Sequence, residues 1–174
     1  MRYYLDFDRT VFDTDAFTSY LRGKLVGSQV AELPSAEFAT ALVGMAREGT
    51  LSFEPGELSR FLFPDAAQFL RDKENAATVI TFGNPVFQEM KVKSALHGIP
   101  RMAVMYTGDI RKGLHLAPHT HLHQGAVLVD DSPAELEILA KECPPLTLYE
   151  IRRNGGEGDG RWPVIRSLAE LPNA

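Results

Sequence analysis

Two pairs of carboxylates are placed where they could do chemistry. Asp6 and Asp8 close the first apolar run, Arg2–Phe7, in the order Asp6-Phe7-Asp8-Arg9-Thr10. Asp130 and Asp131 follow the most apolar run of the chain, Ala126–Val129. Side chains alternate along a strand, so Asp6 and Asp8 would project to one side if the strand continued. Adjacent carboxylates at a buried strand end repel each other and need a compensating cation or base. Ser132 already offers a helix cap, which leaves the acidic pair without that structural task. Four carboxylates at the carboxyl ends of two strands make a hard-oxygen site, and Mg²⁺ prefers such ligands. Thr81 ends a further apolar run and is followed by Phe82-Gly83-Asn84-Pro85. A hydroxyl and a glycine turn leading into a helix can cradle an anion. Lys112, 18 residues before Asp130, could neutralise the cluster, with Lys91, Lys93 and Arg111 as rivals.

These residues need elements to position them. Short β-branched or aromatic runs at Arg2–Phe7, Thr78–Thr81, Met102–Tyr106, Ala126–Val129 and Leu146–Ile151 read as strands. Helices fit between them at Pro85–His97 and from Ser132 to about Glu142, the latter stopped by Pro144-Pro145. Strands alternating with helices predict βαβ units, an α/β class and a parallel sheet. From Asp13 to about Asn75 no strand is expected. Helices are predicted over Ala16–Val26, Ser35–Arg47, Glu57–Phe63 and Asp65–Lys73. This reads as a helical insertion after strand one, with the last helix returning to the sheet. Asn154–Gly160 is a glycine-rich loop, and a short helix is predicted over Val164–Leu171.

Composition narrows the classes. The 174 residues are 44% hydrophobic with a net charge of −5, which excludes a disordered chain and a strongly basic nucleic-acid binder. One cysteine, Cys143, excludes an internal disulfide, and a cytoplasmic location is expected. No apolar stretch reaches the roughly 18 residues of a membrane helix, so no membrane partner is expected. His115, His119, His121 and His123 could suggest a transition-metal site, but Pro118 and Gly125 favour a solvated loop.

In sequence the chain resembles the haloacid dehalogenase-like (HAD) hydrolase superfamily. Asp6-Phe7-Asp8-Arg9-Thr10 matches the family's Asp-x-Asp-x-Thr motif, and Val11-Phe12-Asp13-Thr14 its continuation. Thr81 matches the second motif, Lys112 the third, and Val129-Asp130-Asp131-Ser132-Pro133 the fourth. The likeness runs from residue 2 to about 151. Two positions depart from the pattern: Arg9 stands where Gly is frequent, and Glu135 where an Asp follows the acidic pair.

The resemblance implies a Rossmann-like three-layer core, residues 1–13 and 64–174, with a central parallel sheet of about five strands. It implies a C1-type helical cap over residues 14–63. The implied activity is Mg²⁺-dependent hydrolysis of a small phosphomonoester. Asp6 would be the nucleophile and Asp8 the general acid and base. Asp6, the Asp8 carbonyl and either Asp131 or Asp130 would hold the metal, with Asp130 otherwise on Lys112 or a metal-bound water. Thr81 and the Phe82 and Gly83 amides would hold the phosphoryl group, and Lys112 would offset its charge. Arg9, Arg22, Lys24, Arg47 and Arg60 are candidate substrate contacts. A phosphoryl transferase such as a phosphomutase, or an inactive binding module, are the alternatives. The presence of Asp8 favours phosphate-ester hydrolysis over dehalogenation.

Overall fold

In a computed structural model, which describes residues 1–158 and 160–172, the apolar runs pair into one fully parallel sheet. Its strands are β1 (Tyr3–Asp6), β2 (Ala77–Thr81), β3 (Ala103–Tyr106), β4 (Val127–Asp130), β5 (Thr147–Ile151) and β6 (Val164–Ile165). Their order is β3-β2-β1-β4-β5-β6. Strands covered on both faces need apolar side chains on both, and Leu5, Val79, Leu128 and Val129 are completely buried. The chain leaves β1 on one side for β2 and β3, then crosses to β4 on the other. Open sheets bind ligands outside the strand ends at such a reversal. In register, Leu5 pairs with Val129 and Asp6 with Ile80. One step onward this sets Asp6 beside Asp130, with Thr81 a residue further along β2.

A sixth strand joins the five read from the sequence. The sequence predicted a helix over Val164–Leu171, but Val164 and Ile165 extend the sheet and only Leu168–Glu170 coils, as a 3₁₀ turn. The β-branched pair follows Pro163, whose carbonyl accepts from the Glu150 amide at 3.0 Å, while Ile165 accepts from Arg152 at 2.8 Å. The free edge of β5 thus competes successfully for a segment too short to nucleate a helix.

Between β1 and β2 lie α1 (Thr14–Lys24), α2 (Ser35–Arg47) and α3 (Pro64–Asp72). The predicted Glu57–Phe63 helix is reduced to a 3₁₀ turn at Ser59–Phe61. Gly56, at φ +82°, and Pro64 bracket it too closely for longer helix. Aromatic rings bind this region to the loop after β1: Phe12 meets Phe17 at 5.2 Å, and Phe17 meets Phe61 at 5.7 Å and Phe53 at 5.6 Å. The remaining helices are α4 (Pro85–Ala95), α5 (Lys112–Leu116) and α6 (Pro133–Glu142). Side-chain caps from Asn84 and Ser132 start α4 and α6, each with proline in the first turn. Among the described residues no helix is long and apolar enough to cross a membrane.

Candidate active site

The last residues of β1 and β4 meet the first residue of α5. Lys112 Nζ lies 2.5 Å from Asp6 Oδ1 and 2.6 Å from Asp130 Oδ2, and all three side chains are buried. Gly113 makes this approach possible. A Cβ there would sit 2.8 Å from Ile138 Cγ2 and 3.1 Å from the Ile138 backbone, so α5 packs directly on α6. The other Asp130 oxygen accepts from the Ser132 amide at 2.9 Å. Buried Glu135 accepts from Arg111 and, at 3.3 Å, from the Lys112 amide, which fixes the start of α5. Asp131 is half-buried and has no ion pair among the described residues.

Three carboxylates here share one lysine. Burial, with repulsion from Asp130 and Asp8, pushes the Asp6 carboxyl up to about 7 against the pull of Lys112. Asp131 is pushed up to about 6 by burial and by Asp6. Burial raises Asp130 as well. Burial alone would depress Lys112, but Asp6 and Asp130 outweigh it and hold the ammonium charged. The cluster is therefore short of positive charge. Oxygen atoms of Asp6, Asp130 and Asp131 lie within 4.8 Å of one another, the only such grouping of His, Cys, Asp or Glu among the described residues. Hard oxygen donors, clustered and undercompensated, fit Mg²⁺.

Asp8 stands apart from this cluster. Its Oδ1 lies 2.6 Å from Lys91 Nζ and accepts from Thr14 Oγ1 at 2.6 Å. Its Oδ2 accepts from Lys91 at 2.9 Å and from Gln88 Nε2 at 3.0 Å. Burial would raise its carboxyl, but the Lys91 charge and these hydrogen bonds outweigh it and keep Asp8 below the usual carboxylate range. Arg9 follows at φ +59°, the only non-glycine residue at positive φ among those described. Arg153 braces this turn: its guanidinium donates to the Thr10 carbonyl at 2.6 and 2.9 Å and to both Asp65 oxygens at 2.8 Å. Asp6, Asp8, Phe82, Lys112, Asp130 and Asp131 line a pocket of about 190 Å³. Arg9 and Asp131 also line an adjoining cleft of about 630 Å³, bounded by α1 and Ile151–Asn154.

No family profile and no curated protein matches the sequence. Solved structures do match. A haloacid dehalogenase-like hydrolase from Burkholderia xenovorans LB400 superposes at a TM-score of 0.61 with 20% identity, over 88% of this chain and 84% of that one. The HAD-hydrolase YfnB of Bacillus subtilis, in a structure bound to magnesium, gives 0.63 at 14% identity, over 97% and 96%. A dehalogenase with an intermediate complex gives 0.64 at 13%, over 97% and 94%. The chain has the haloacid dehalogenase-like fold.

Within the HAD-like fold, the sequence-derived candidates divide. Asp6, Lys112, Asp130 and Asp131 come together, and Asp8, Arg9 and Phe82 line the same pocket. Thr81 is buried at the end of β2, and its Oγ1 has no hydrogen-bond partner. Gly83 needs correcting as a phosphoryl ligand. Its amide donates to the Gly108 carbonyl at 2.9 Å, because the loops after β2 and β3 lie side by side. The basic residues of the helical segment are also occupied elsewhere. Arg22 caps the Ala31 carbonyl at 2.5 Å, Lys24 pairs with Glu57 at 3.0 Å, and Arg60 lies 4.3 Å from the Tyr20 ring centre. Neither they nor exposed Arg47 line either cavity. The solvated-loop reading of the histidines fails at His123, which is buried with Nδ1 2.9 Å from Tyr4 Oη. His119 and His121 are exposed. Sequence reasoning offered Lys91 only as a rival to Lys112 and missed Gln88. The available signal was a lysine in line with Phe87 and Ala95 on the inner stripe of α4.

Proposed function

We propose that this protein is a Mg²⁺-dependent phosphatase that hydrolyses a small phosphomonoester through an aspartyl-phosphate. The observation that carries the reading is the pairing of Lys112 with both Asp6 and Asp130, 2.5 and 2.6 Å away, beside an undercompensated Asp131. Asp6, Asp131 and the Asp8 carbonyl would hold the metal, which supplies Lewis-acid charge neutralisation for an anionic substrate. Lys112 holds one Asp6 oxygen still and leaves the other to attack phosphorus. The Asp6–phosphorus bond forms as the bond to the leaving oxygen breaks, and Asp8, which takes up a proton when the anionic substrate binds beside it, passes that proton to the leaving oxygen. Water, giving its proton to Asp8, then releases phosphate and restores Asp6. The unpartnered Thr81 hydroxyl is a donor for a phosphoryl oxygen.

The helical residues 14–63 act in this reading as a cap, and the 630 Å³ cleft receives the leaving group, with Arg9 at its junction with the smaller pocket. The test is phosphate release from a panel of phosphorylated metabolites and an aryl phosphate, with Mg²⁺ and with EDTA. Mg²⁺-dependent release supports the reading, and release indifferent to EDTA contradicts it.

A further inference from the structure

Lys91 is a buried cation that the mechanism above does not use. It is 2% exposed, on the inner face of α4. Phe7, Phe12 and Phe87 surround its ammonium, with ring centres 5.3, 5.6 and 5.6 Å away. Its one ionic partner among the described residues is Asp8. Desolvating an ammonium is unfavourable unless a counter-charge meets it, and apolar side chains would fill an aromatic cage without that penalty. The cage therefore needs a reason to hold a lysine, and Asp8 is the group it reaches. Asp8 lies beyond the end of β1, where an isolated backbone bridge to Phe12 leaves its side chain to be fixed by other groups. Three donors do so: Thr14 from the start of α1, and Gln88 and Lys91 one helical turn apart on α4. Lys91 alone of the three contacts both carboxylate oxygens, leaving the group 30% exposed toward the pocket.

We propose that Lys91 is a positioning residue that fixes the Asp8 carboxylate in the orientation from which it exchanges a proton with the leaving group. This rests on the phosphatase reading of the site. Two lysines then divide the work, with Lys112 setting the nucleophile and Lys91 setting the acid–base group.

The test compares an alkyl phosphate, whose leaving group needs a proton, with p-nitrophenyl phosphate, whose leaving group does not. In Lys91→Met, kcat/KM for the alkyl phosphate should fall by about 100-fold or more, the scale of general acid catalysis. For the aryl phosphate it should fall by less than about tenfold, below the scale of general acid catalysis. Lys91→Gln, which keeps a donor without the charge, should lie between and guards against misfolding of the first variant. Equal losses on both substrates overturn the proposal, because a purely structural lysine slows both alike. A crystal structure of Lys91→Met should show the Asp8 carboxylate turned out of its present position. If Thr14 and Gln88 hold it in place unaided, the proposal fails. That second readout needs no turnover, so it judges Lys91 even where the wild-type protein releases no phosphate and the phosphatase reading itself falls.

Discussion

Lys112 is surrounded by protein and contacts two carboxylates that repel each other. Replacing it with methionine conserves the aliphatic stem and removes the charge. Two buried acids then lose their shared counter-ion, and breaking such a pair costs about 3–5 kcal/mol. Urea unfolding of Lys112→Met at pH 7.5 should report a loss of that order. The loss should shrink near pH 5, where the orphaned carboxyls can take up protons. Asp6, Asp8, Asp130 and Asp131 were legible because strand ends and charge spacing are local properties of a sequence. Which of the candidate lysines meets Asp8 was not. Its lysine lies 83 residues away, and only the docking of α4 beneath the loop after β1 brings the two together. Gly83 misled for a related reason: a glycine turn advertises a free amide, but the neighbouring loop takes it.

At the scale of elements, α5 is five residues long and owes its place to contact with α6 rather than to its own propensity. Gly113 sets that contact. Gly113→Val would drive a branched side chain into Ile138 and lift α5 from α6, taking Lys112 with it. Overpacking of this kind costs about 1–3 kcal/mol. Thermal melts should show the stability loss, and turnover should fall alongside it. The central strands were legible because burial on both faces writes an unbroken apolar run. The edge was not. Val164–Ile165 has two residues, and its state is decided by the free edge of β5, which the local sequence does not encode. The same limit applies at Ser59–Phe61, where Pro64 and the turn at Gly56 cut short a helix that the apolar spacing suggested.

The whole molecule carries a net charge of −5, and part of that excess is concentrated at one end of the sheet. In the metal-free protein the Asp6 carboxyl sits at about 7 and Asp131 at about 6, both above the unfolded value near 4. Each therefore binds its proton more tightly folded than unfolded, and its contribution to stability is lost as pH rises from about 4 to about 7. Asp8 is shifted the other way, so its contribution is lost only in stronger acid and stays constant across this window. Melting temperature in EDTA should accordingly fall between pH 5 and pH 8. In the proposed reading Mg²⁺ binds the ionised cluster, and it should then raise the melting temperature most at the upper end, since a ligand selective for the native state stabilises it. A flat profile in EDTA, or no gain from Mg²⁺ at pH 8, would contradict this.

The proposed mechanism requires Asp6 to become phosphorylated. Acid-quenching the protein during turnover of an aryl phosphate with Mg²⁺, followed by intact-mass and peptide-mass measurement, tests it directly. The peptide containing Asp6 should carry one added phosphoryl group, absent in EDTA and absent from Asp6→Asn, which should also release no phosphate. A phosphoryl group on a different residue, or undiminished phosphate release by Asp6→Asn, would contradict it.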